Sequence, residues 1–508
     1  MTGIFLYKVK GNGPLPADIR KIAKRVSHRG KHRSWVVDSG GCFISVYLNK
    51  PQKDNICVVD DAQKEVPASF TVLDGYINIE PGLGAKGSTK PPKPVERARS
   101  LYKTGGVQAF SKVSGAFSLV IKENEAIIIA RDSFGSNPLY YIDDDDKLVI
   151  ASELKAFKGM DKFLRVLEPG TAFLTDGHRS CVRRFYDTRS FLEVESQFQG
   201  TEAREAEVEL RTMVDRAVMR SIPRDAKTSA LLSGGLDSSV VCALAVKHVP
   251  VLDAYVASYG DSDDLINARR FVDRYNDQVR LHVVNYDLDD MLRAIPDVIS
   301  SLETFDAALV RSALPMHIAC TNIDDGTDVL LTGEGCDELF AGYSYLKKLA
   351  PEKLDEELIH LLEVEHATGL QRVDRIPYHF GIEARAPWFD LDIARFAFKL
   401  PAQLKIKRDR GSLIEKWIVR DTFKDLLPDE ITWRKKAKFS QGSGSELVMR
   451  DYLETQISDA EFFKENEIAP GVFARSKEEL YYWRVFDECF KPSDDFVKKM
   501  PRTEEFSV

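Results

Sequence analysis

Ser233-Gly234-Gly235-Leu236-Asp237-Ser238-Ser239 stands between an apolar run, Ser229-Ala230-Leu231-Leu232, and a helix-like run over 240–247. A strand that runs through a glycine-rich turn into a helix is a place for an anion. The glycines let backbone approach phosphate closely, the serines offer hydroxyl donors, and the helix aims its N-terminal amides and positive dipole end at the same point. An ordinary strand-to-helix turn capped by Ser238 would explain one serine. It would not explain the whole string in this setting.

At 508 residues the chain is too long for one hydrophobic core, so two domains are expected. Hydrophobic residues are 44% and charged residues 30%, an ordinary globular balance, and no apolar stretch approaches the roughly 18 to 20 residues that cross a bilayer. The start, Met1-Thr2-Gly3-Ile4-Phe5-Leu6-Tyr7-Lys8, has no basic segment ahead of a long apolar core. No secretion signal is read there, no membrane partner is expected, and the expected location is cytoplasmic. A net charge of −8 makes no chain-wide case for nucleic acid, although Arg434-Lys435-Lys436 is a local basic patch; a small-molecule partner is expected instead. The seven cysteines form no Cys-x-x-Cys pair and the nine histidines no ligand spacing, so neither a disulfide framework nor a zinc site is expected.

Up to about residue 190, short apolar runs at 4–7, 42–48, 70–77, 116–121 and 126–130 alternate with polar turns, the pattern of a sheet-rich domain. Within it, 81–94 is rich in glycine, proline and lysine and reads as a mobile loop. Gly82-Leu83-Gly84-Ala85-Lys86-Gly87 inside that loop matches G-x-G-x-x-G, but Ser88-Thr89-Lys90-Pro91-Pro92 follows where a dinucleotide fingerprint must open a helix. From about 200 onward, helix-like runs separate apolar strands at 229–232, 254–258, 281–284 and 328–331. Such alternation predicts a parallel sheet covered on both faces, with ligand at the carboxyl ends of the strands. Residues 354–490 read as mainly helical, and the charged tail 491–508 as poorly ordered.

A second motif, Thr332-Gly333-Glu334-Gly335-Cys336-Asp337-Glu338-Leu339-Phe340-Ala341-Gly342-Tyr343, follows the 328–331 strand. Acids at a helix N-terminus suit the dipole in any protein. A phosphate-transfer site shared with Asp237 is the stronger reason, because hard metal ions need oxygen ligands. The basic run Trp433-Arg434-Lys435-Lys436-Ala437-Lys438-Phe439-Ser440 alone would read as solvated surface.

The first motif looks like an ATP pyrophosphatase loop, and together the three resemble the asparagine synthetase family, whose synthetase domain carries Ser-Gly-Gly-x-Asp-Ser-Ser, Gly-Glu-Gly-x-Asp-Glu and Trp-Arg-x-Lys in this order. Glu303-Thr304-Phe305-Asp306 with Arg311 and Pro315-Met316, and Gly381-Ile382-Glu383-Ala384-Arg385-Ala386-Pro387-Trp388-Phe389-Asp390, look like family segments too. So do His28-Arg29-Gly30, Gly115-Ala116-Phe117, Arg131-Asp132-Ser133-Phe134-Gly135-Ser136-Asn137-Pro138-Leu139-Tyr140 and Ala151-Ser152-Glu153-Leu154-Lys155-Ala156. The resemblance covers nearly the whole chain. It implies a degenerate class II glutamine amidotransferase-like domain over 1–195, an N-terminal nucleophile-type αββα sandwich. An asparagine synthetase-like ATP pyrophosphatase domain, a doubly wound parallel sheet of the adenine nucleotide α hydrolase-like kind, follows over 200–490. Cofactors would be ATP and Mg²⁺. Ser233, Gly234, Gly235, Leu236, Asp237, Ser238, Ser239 and Gly333 would bind the nucleotide, and Asp237 and Asp337 the metal and pyrophosphate. Lys436 and Arg311 would steady phosphate charge, and Glu334 would take a proton from the attacking nitrogen. Cations aimed at departing pyrophosphate are what adenylation of a carboxylate requires.

The first half departs from the family pattern. Glutamine-using members carry cysteine after the initiator methionine, where this chain has Thr2. A threonine with a free amine can be a nucleophile. The family's oxyanion-hole segment Asn-Gly-Glu reads Asp74-Gly75-Tyr76, which puts a carboxylate where negative charge develops. The arginine that grips glutamine has no counterpart near 45–49, and the aspartate that holds its amine falls at Pro94. Loss of glutaminase activity is expected. In the second half, Ala308-Leu309 replace a threonine pair before Arg311, which puts aspartate specificity in question.

The expected function is an ATP-dependent amide-forming ligase that adenylates a carboxylate, aspartate first, and uses ammonia or an amine. β-Lactam synthetase-like or lasso cyclase-like amide synthases, and a non-catalytic ATP-binding scaffold, are the alternatives; retained Asp237, Glu334, Asp337 and Lys436 speak against the scaffold. A homodimer or a separate nitrogen-donating partner is compatible with the sequence.

Overall fold

The computed structural model describes residues 2–11, 13–30, 33–39, 41–49, 55–59, 69–79, 93–194, 198, 203–409, 411–435 and 446–503. Of the mobile loop expected over 81–94, residues 81–92 with the glycine decoy lie outside these, as does Lys436, while Lys93 caps and Pro94 opens a helix in place of the loop's end.

The chain divides into two compact units. The first comprises Met1–Thr188 with Tyr378–Glu383 and Phe490–Lys499. Its strands are β1 (Thr2–Val9), β2 (Arg33–Ser39), β3 (Cys42–Leu48), β4 (Ile56–Val59), β5 (Ser69–Gly75), β6 (Phe117–Glu123), β7 (Ala126–Arg131), β8 (Tyr140–Asp143), β9 (Lys147–Ala151), β10 (Arg165–Val166), β11 (Thr171–Thr175) and β12 (Ser180–Arg184). They form two six-stranded sheets, β10-β8-β9-β1-β3-β2 and β12-β11-β7-β6-β5-β4. Side chains alternate across each strand, so Ile4, Leu6, Ile44 and Val46 meet Phe70, Val72, Val120, Ile127 and Ile129 in one core. Leu73, Leu119 and Ile121 point the other way and pack with Val95, Ala98 and Leu101 of α2 (Pro94–Gly105), while α1 (Ile19–Ala23) precedes a turn of 3-10 helix that packs on β1 and β3. This is an αββα sandwich.

The second unit carries a five-stranded sheet of order β15-β14-β13-β16-β17, from β13 (Thr228–Leu231), β14 (Leu252–Tyr259), β15 (Val279–Tyr286), β16 (Val329–Leu331) and β17 (Glu383–Arg385). β13 pairs in parallel with both β14 and β16, and β14 with β15. Every residue of β13 and β16 is buried, as expected where both faces are covered. Around the sheet run α3 (Ala203–Arg220), α4 (Leu236–Ala245), α5 (Asp263–Arg274), α6 (Leu288–Leu302), α7 (Ala307–Thr321), α8 (Cys336–Phe340), α9 (Pro351–Val364), α10 (Gly369–His379) and α11 (Leu391–Lys399). Several start where the sequence supplies a cap: Ser262 accepts from the amide of Leu265, and Asp287 and Asp290 form a capping box. From β13 the chain steps outward through β14 to β15, then returns to place β16 on the other side. The order reverses between β13 and β16, which is the switch point where open α/β sheets bind ligands.

Two expectations need correction. The second domain is not continuous over 200–490: Tyr378–Glu383 and the start of the tail belong to the first unit. Arg29 stacks 3.7 Å from the Tyr378 ring centroid, and Asn49 Nδ2 donates to the Gly381 carbonyl at 2.8 Å. Nor is the tail loose over 491–503. It forms a short helix, Asp494–Val497, the amide of Ser493 donates to Asp161 at 2.6 Å, and Thr503 donates twice to Asp306 at 2.7 Å. Ser493, Arg502, which pairs with Glu479, and Thr503 have folded partners, which composition alone does not reveal.

Candidate functional site

Both acidic and glycine-rich motifs leave the carboxyl ends of the strands at the switch point. Gly234 has φ +63°, and a Cβ there would stand 2.7 Å from backbone and side-chain atoms of α5. Only glycine fits that turn. Gly235 then caps α4, whose first turn carries Asp237, Ser238 and Ser239. Ser233 Oγ and Ser238 Oγ are 3.0 Å apart, Ser239 is fully buried, and its hydroxyl has no partner among the described residues. Across the crevice, a Cβ on Gly333 would stand 2.6 Å from the amide nitrogen of Ser238. The two motifs therefore touch through backbone.

Lys416, which the sequence reading did not single out, joins them. Its buried Nζ donates to Asp237 Oδ1 and Oδ2 at 2.8 and 2.7 Å and pairs with Asp337 Oδ1 at 2.6 Å. Burial works against the ammonium charge, but Asp237 and Asp337 outweigh it and hold the Lys416 pKa above the ordinary lysine value. Cys336 packs against the same group; burial and the Asp237 charge push its thiol well up. Indole Nε1 of the fully buried Trp388 donates to the Asp237 carbonyl at 3.4 Å.

Glu334 Oε1 accepts from Arg372 Nη2 at 2.5 Å. Behind it, Glu338 is buried and accepts from the Tyr343 hydroxyl. Burial, Asp337 and Glu334 together push its carboxyl up to about 7. Glu365 is also buried, and burial with the charges of Glu338 and Glu334 raises it well above the carboxylate range.

The third motif reaches the loop through Arg434. Its Nη1 donates to the Ser233 carbonyl at 3.4 Å and its Nη2 pairs with Asp264 at 2.9 Å. Arg420 donates to the carbonyls of Thr432 and Arg434, at 2.5 and 3.0 Å, and so holds the motif's backbone. Arg311 sits on α7 and its Nη1 pairs with Glu478 at 3.4 Å. No contact with Asp237 or Asp337 brings it into the loop cluster among the described residues.

Among the described residues no group of three or more His, Cys, Asp or Glu side chains could by itself hold a metal. Mg²⁺ does not require one: it commonly takes one or two carboxylates and completes its shell with water and phosphate oxygens. Asp237 and Asp337, with oxygens converging on one cation, fit that donor set.

In the first unit, Thr2 is buried; its amide donates to Asp74 Oδ1 at 2.8 Å and its hydroxyl to the Leu73 carbonyl at 3.0 Å. Asp74 Oδ2 lies 3.2 Å from Arg29 Nη2, and Arg29 Nη1 lies 3.0 Å from Glu153. His28 and Lys155 also reach Glu153, at 3.0 and 2.6 Å. Burial opposes charge on Glu153, but His28, Lys155 and Arg29 hold it well below the usual carboxylate value. A buried ion network thus occupies the neighbourhood of Thr2.

Comparison with known proteins agrees with both halves. The asparagine synthase family model matches 209–354 and 349–505, and a glutamine amidotransferase domain model matches 79–159. Asparagine synthetase [glutamine-hydrolyzing] from Bos taurus is 30% identical over 447 residues, covering 79% of this chain and 78% of its own. The protein of that name from Cricetulus griseus is 31% identical over 435 residues, covering 78% and 77%. Among solved structures, a glutamine phosphoribosylpyrophosphate amidotransferase from B. subtilis is 16% identical, covers 47% of this chain and 62% of its own, and gives a TM-score of 0.30.

Proposed function

Because the chain belongs to the asparagine synthetase family, and is therefore a carbon–nitrogen ligase that uses ATP, we propose that it adenylates a small carboxylate, aspartate as first candidate, and amidates it with ammonia or an amine. The observation that carries this reading is the backbone contact of Gly333 with Ser238, which joins the phosphate-type loop to the acidic motif at the switch point. Loop amides at Gly234 and Gly235 and the first turn of α4, from Leu236 to Ser239, would cradle the phosphates. Asp237 and Asp337 would hold Mg²⁺, which supplies charge neutralisation on pyrophosphate. Lys416 keeps their oxygens together. Arg434 props the loop, leaving Lys436, with Arg311, as the candidate cations for phosphate. Arg372 orients Glu334, the proposed acceptor for the proton of the attacking nitrogen.

Ammonia or an amine is preferred over glutamine because Asp74 already accepts the Thr2 amide and is itself paired with Arg29. A carboxylate there would repel a developing oxyanion. No helix among the described residues is long and apolar enough to cross a membrane, and the proposed location is cytoplasmic. The test is pyrophosphate release from ATP with Mg²⁺ and aspartate, supplied in turn with ammonium, glutamine or neither, with mass detection of the amide. Ammonium-dependent asparagine without response to glutamine is expected. Turnover with glutamine would contradict the nitrogen assignment, and silence with aspartate would redirect the search to another carboxylate, as the Ala308-Leu309 replacement suggests.

A further inference from the structure

Glu365 lies in the turn between α9 and α10 and is 5% exposed. Thr368 Oγ1 donates to its Oε2 at 2.9 Å, whereas Oε1 is buried with no hydrogen-bond partner among the described residues. That oxygen points at Gly369. A Cβ on Gly369 would collide with Glu365 Oε1 and stand 2.6 Å from Glu334 Oε1. The missing side chain is what lets the two carboxyl groups approach each other. Around them stand Glu338, hydrogen-bonded by Tyr343, and one guanidinium, Arg372, already committed to Glu334. Among the described residues, Arg372 is the cation that Glu334 pairs with and Glu365 faces, and a buried acceptor is left open where the carboxyl groups meet. A buried acceptor without a donor is costly, and a cationic N–H donor is the group that offsets it best.

Building on the function proposed above, we propose that Glu365 is a second acceptor for the nitrogen donor, holding ammonium or a small primary amine as its cation between Glu365 Oε1 and Glu334. From ammonium, one proton passes to a carboxylate of the pair, and the freed lone pair attacks the acyl carbon. The new carbon–nitrogen bond forms, the carbon–oxygen bond to AMP breaks, and AMP leaves with that electron pair. The second proton passes to the other carboxylate. The raised pKa of Glu365 is consistent with a group that holds a proton when no cation is present.

The test uses the full chain and Glu365→Gln, which keeps shape and removes charge. Crystals soaked in thallous acetate, with Tl⁺ as a stand-in for ammonium, should show an anomalous peak between Glu365 and Glu334 that the variant lacks; no peak in the unsubstituted protein overturns the proposal. In turnover, the variant should raise KM for ammonium by about tenfold or more, the loss of one charge-assisted hydrogen bond. Carboxylate-dependent ATP–pyrophosphate exchange without nitrogen should stay within twofold. An unchanged KM, or exchange and KM failing together, overturns the assignment. Comparing ammonium with methylamine separates a site for ammonia from one for an amine. Tl⁺ bound at the pair, without exchange on any carboxylate, would sink the ligase reading and leave the cation site standing.

Discussion

Lys416 Nζ lies 2.7 Å from Asp237 Oδ2 and 2.6 Å from Asp337 Oδ1, so one buried ammonium ties together carboxylates from the first turns of two separate helices, α4 and α8. Two acids facing each other without a cation would repel, and the crevice would open. With Lys416 between them, the oxygens are held together on one cation.

Lys416→Met should therefore destabilise the protein by about 3–5 kcal/mol, because it strands two largely buried carboxylates. Millimolar Mg²⁺ should restore part of that loss. Thermal unfolding with and without Mg²⁺ measures it: the variant's midpoint should rise with Mg²⁺ more than that of the unsubstituted chain. Equal stability in metal-free buffer would contradict the role given to this lysine.

Gly333→Ala should abolish ATP–pyrophosphate exchange, since the new methyl would meet the Ser238 amide at 2.6 Å. Neither partner is a flexible side chain, so the loop itself must move, at a cost of about 1–3 kcal/mol. A folded variant with ordinary exchange would show that the contact between the motifs is dispensable.

Glu338 gives a pH signature. Its carboxyl is raised in the folded chain to about 7 from 4.5, so the native state binds more protons than the unfolded state between those values. Stability from this group is full below about pH 4.5 and is lost as pH rises through about 7, by about 3 kcal/mol at most. Glu338→Gln should flatten the difference in unfolding free energy between pH 5 and pH 8 relative to the unsubstituted chain. Parallel profiles for the two proteins would remove Glu338 as the source.

Arg29→Met should cost about 3–5 kcal/mol, since Asp74 and Glu153 would both lose a buried partner. Thr2→Ala is expected to leave ammonium-dependent amide formation unchanged. Any glutamine-dependent ammonia release that disappears in Thr2→Ala would reinstate the amidotransferase site.

Much of this protein was legible locally. The strand–loop–helix at Ser233 to Ser239 shows in sequence because glycine placement and the change from strand to helix periodicity are short-range properties. Strands β13 to β16 and their helices follow from the same alternation. Residues 81–92 of the loop expected over 81–94, and Lys436, lie outside the described residues, so the reading of these positions stands on sequence.

The sequence by itself determined two domain classes, the glycine-rich loop at Ser233 to Ser239, the acidic motif and the threonine at position 2. Each depends on residue identities within a few positions of one another. Only the tertiary structure decided that Lys416 joins Asp237 to Asp337, that Tyr378 stacks on Arg29 across a break in the domain, and that Gly369 makes room for Glu365 beside Glu334. Those partners carry no periodicity or motif of their own. Strand order and side-chain packing brought them together, and the charge balance of a buried site depends on what is near in space, whatever its distance along the chain.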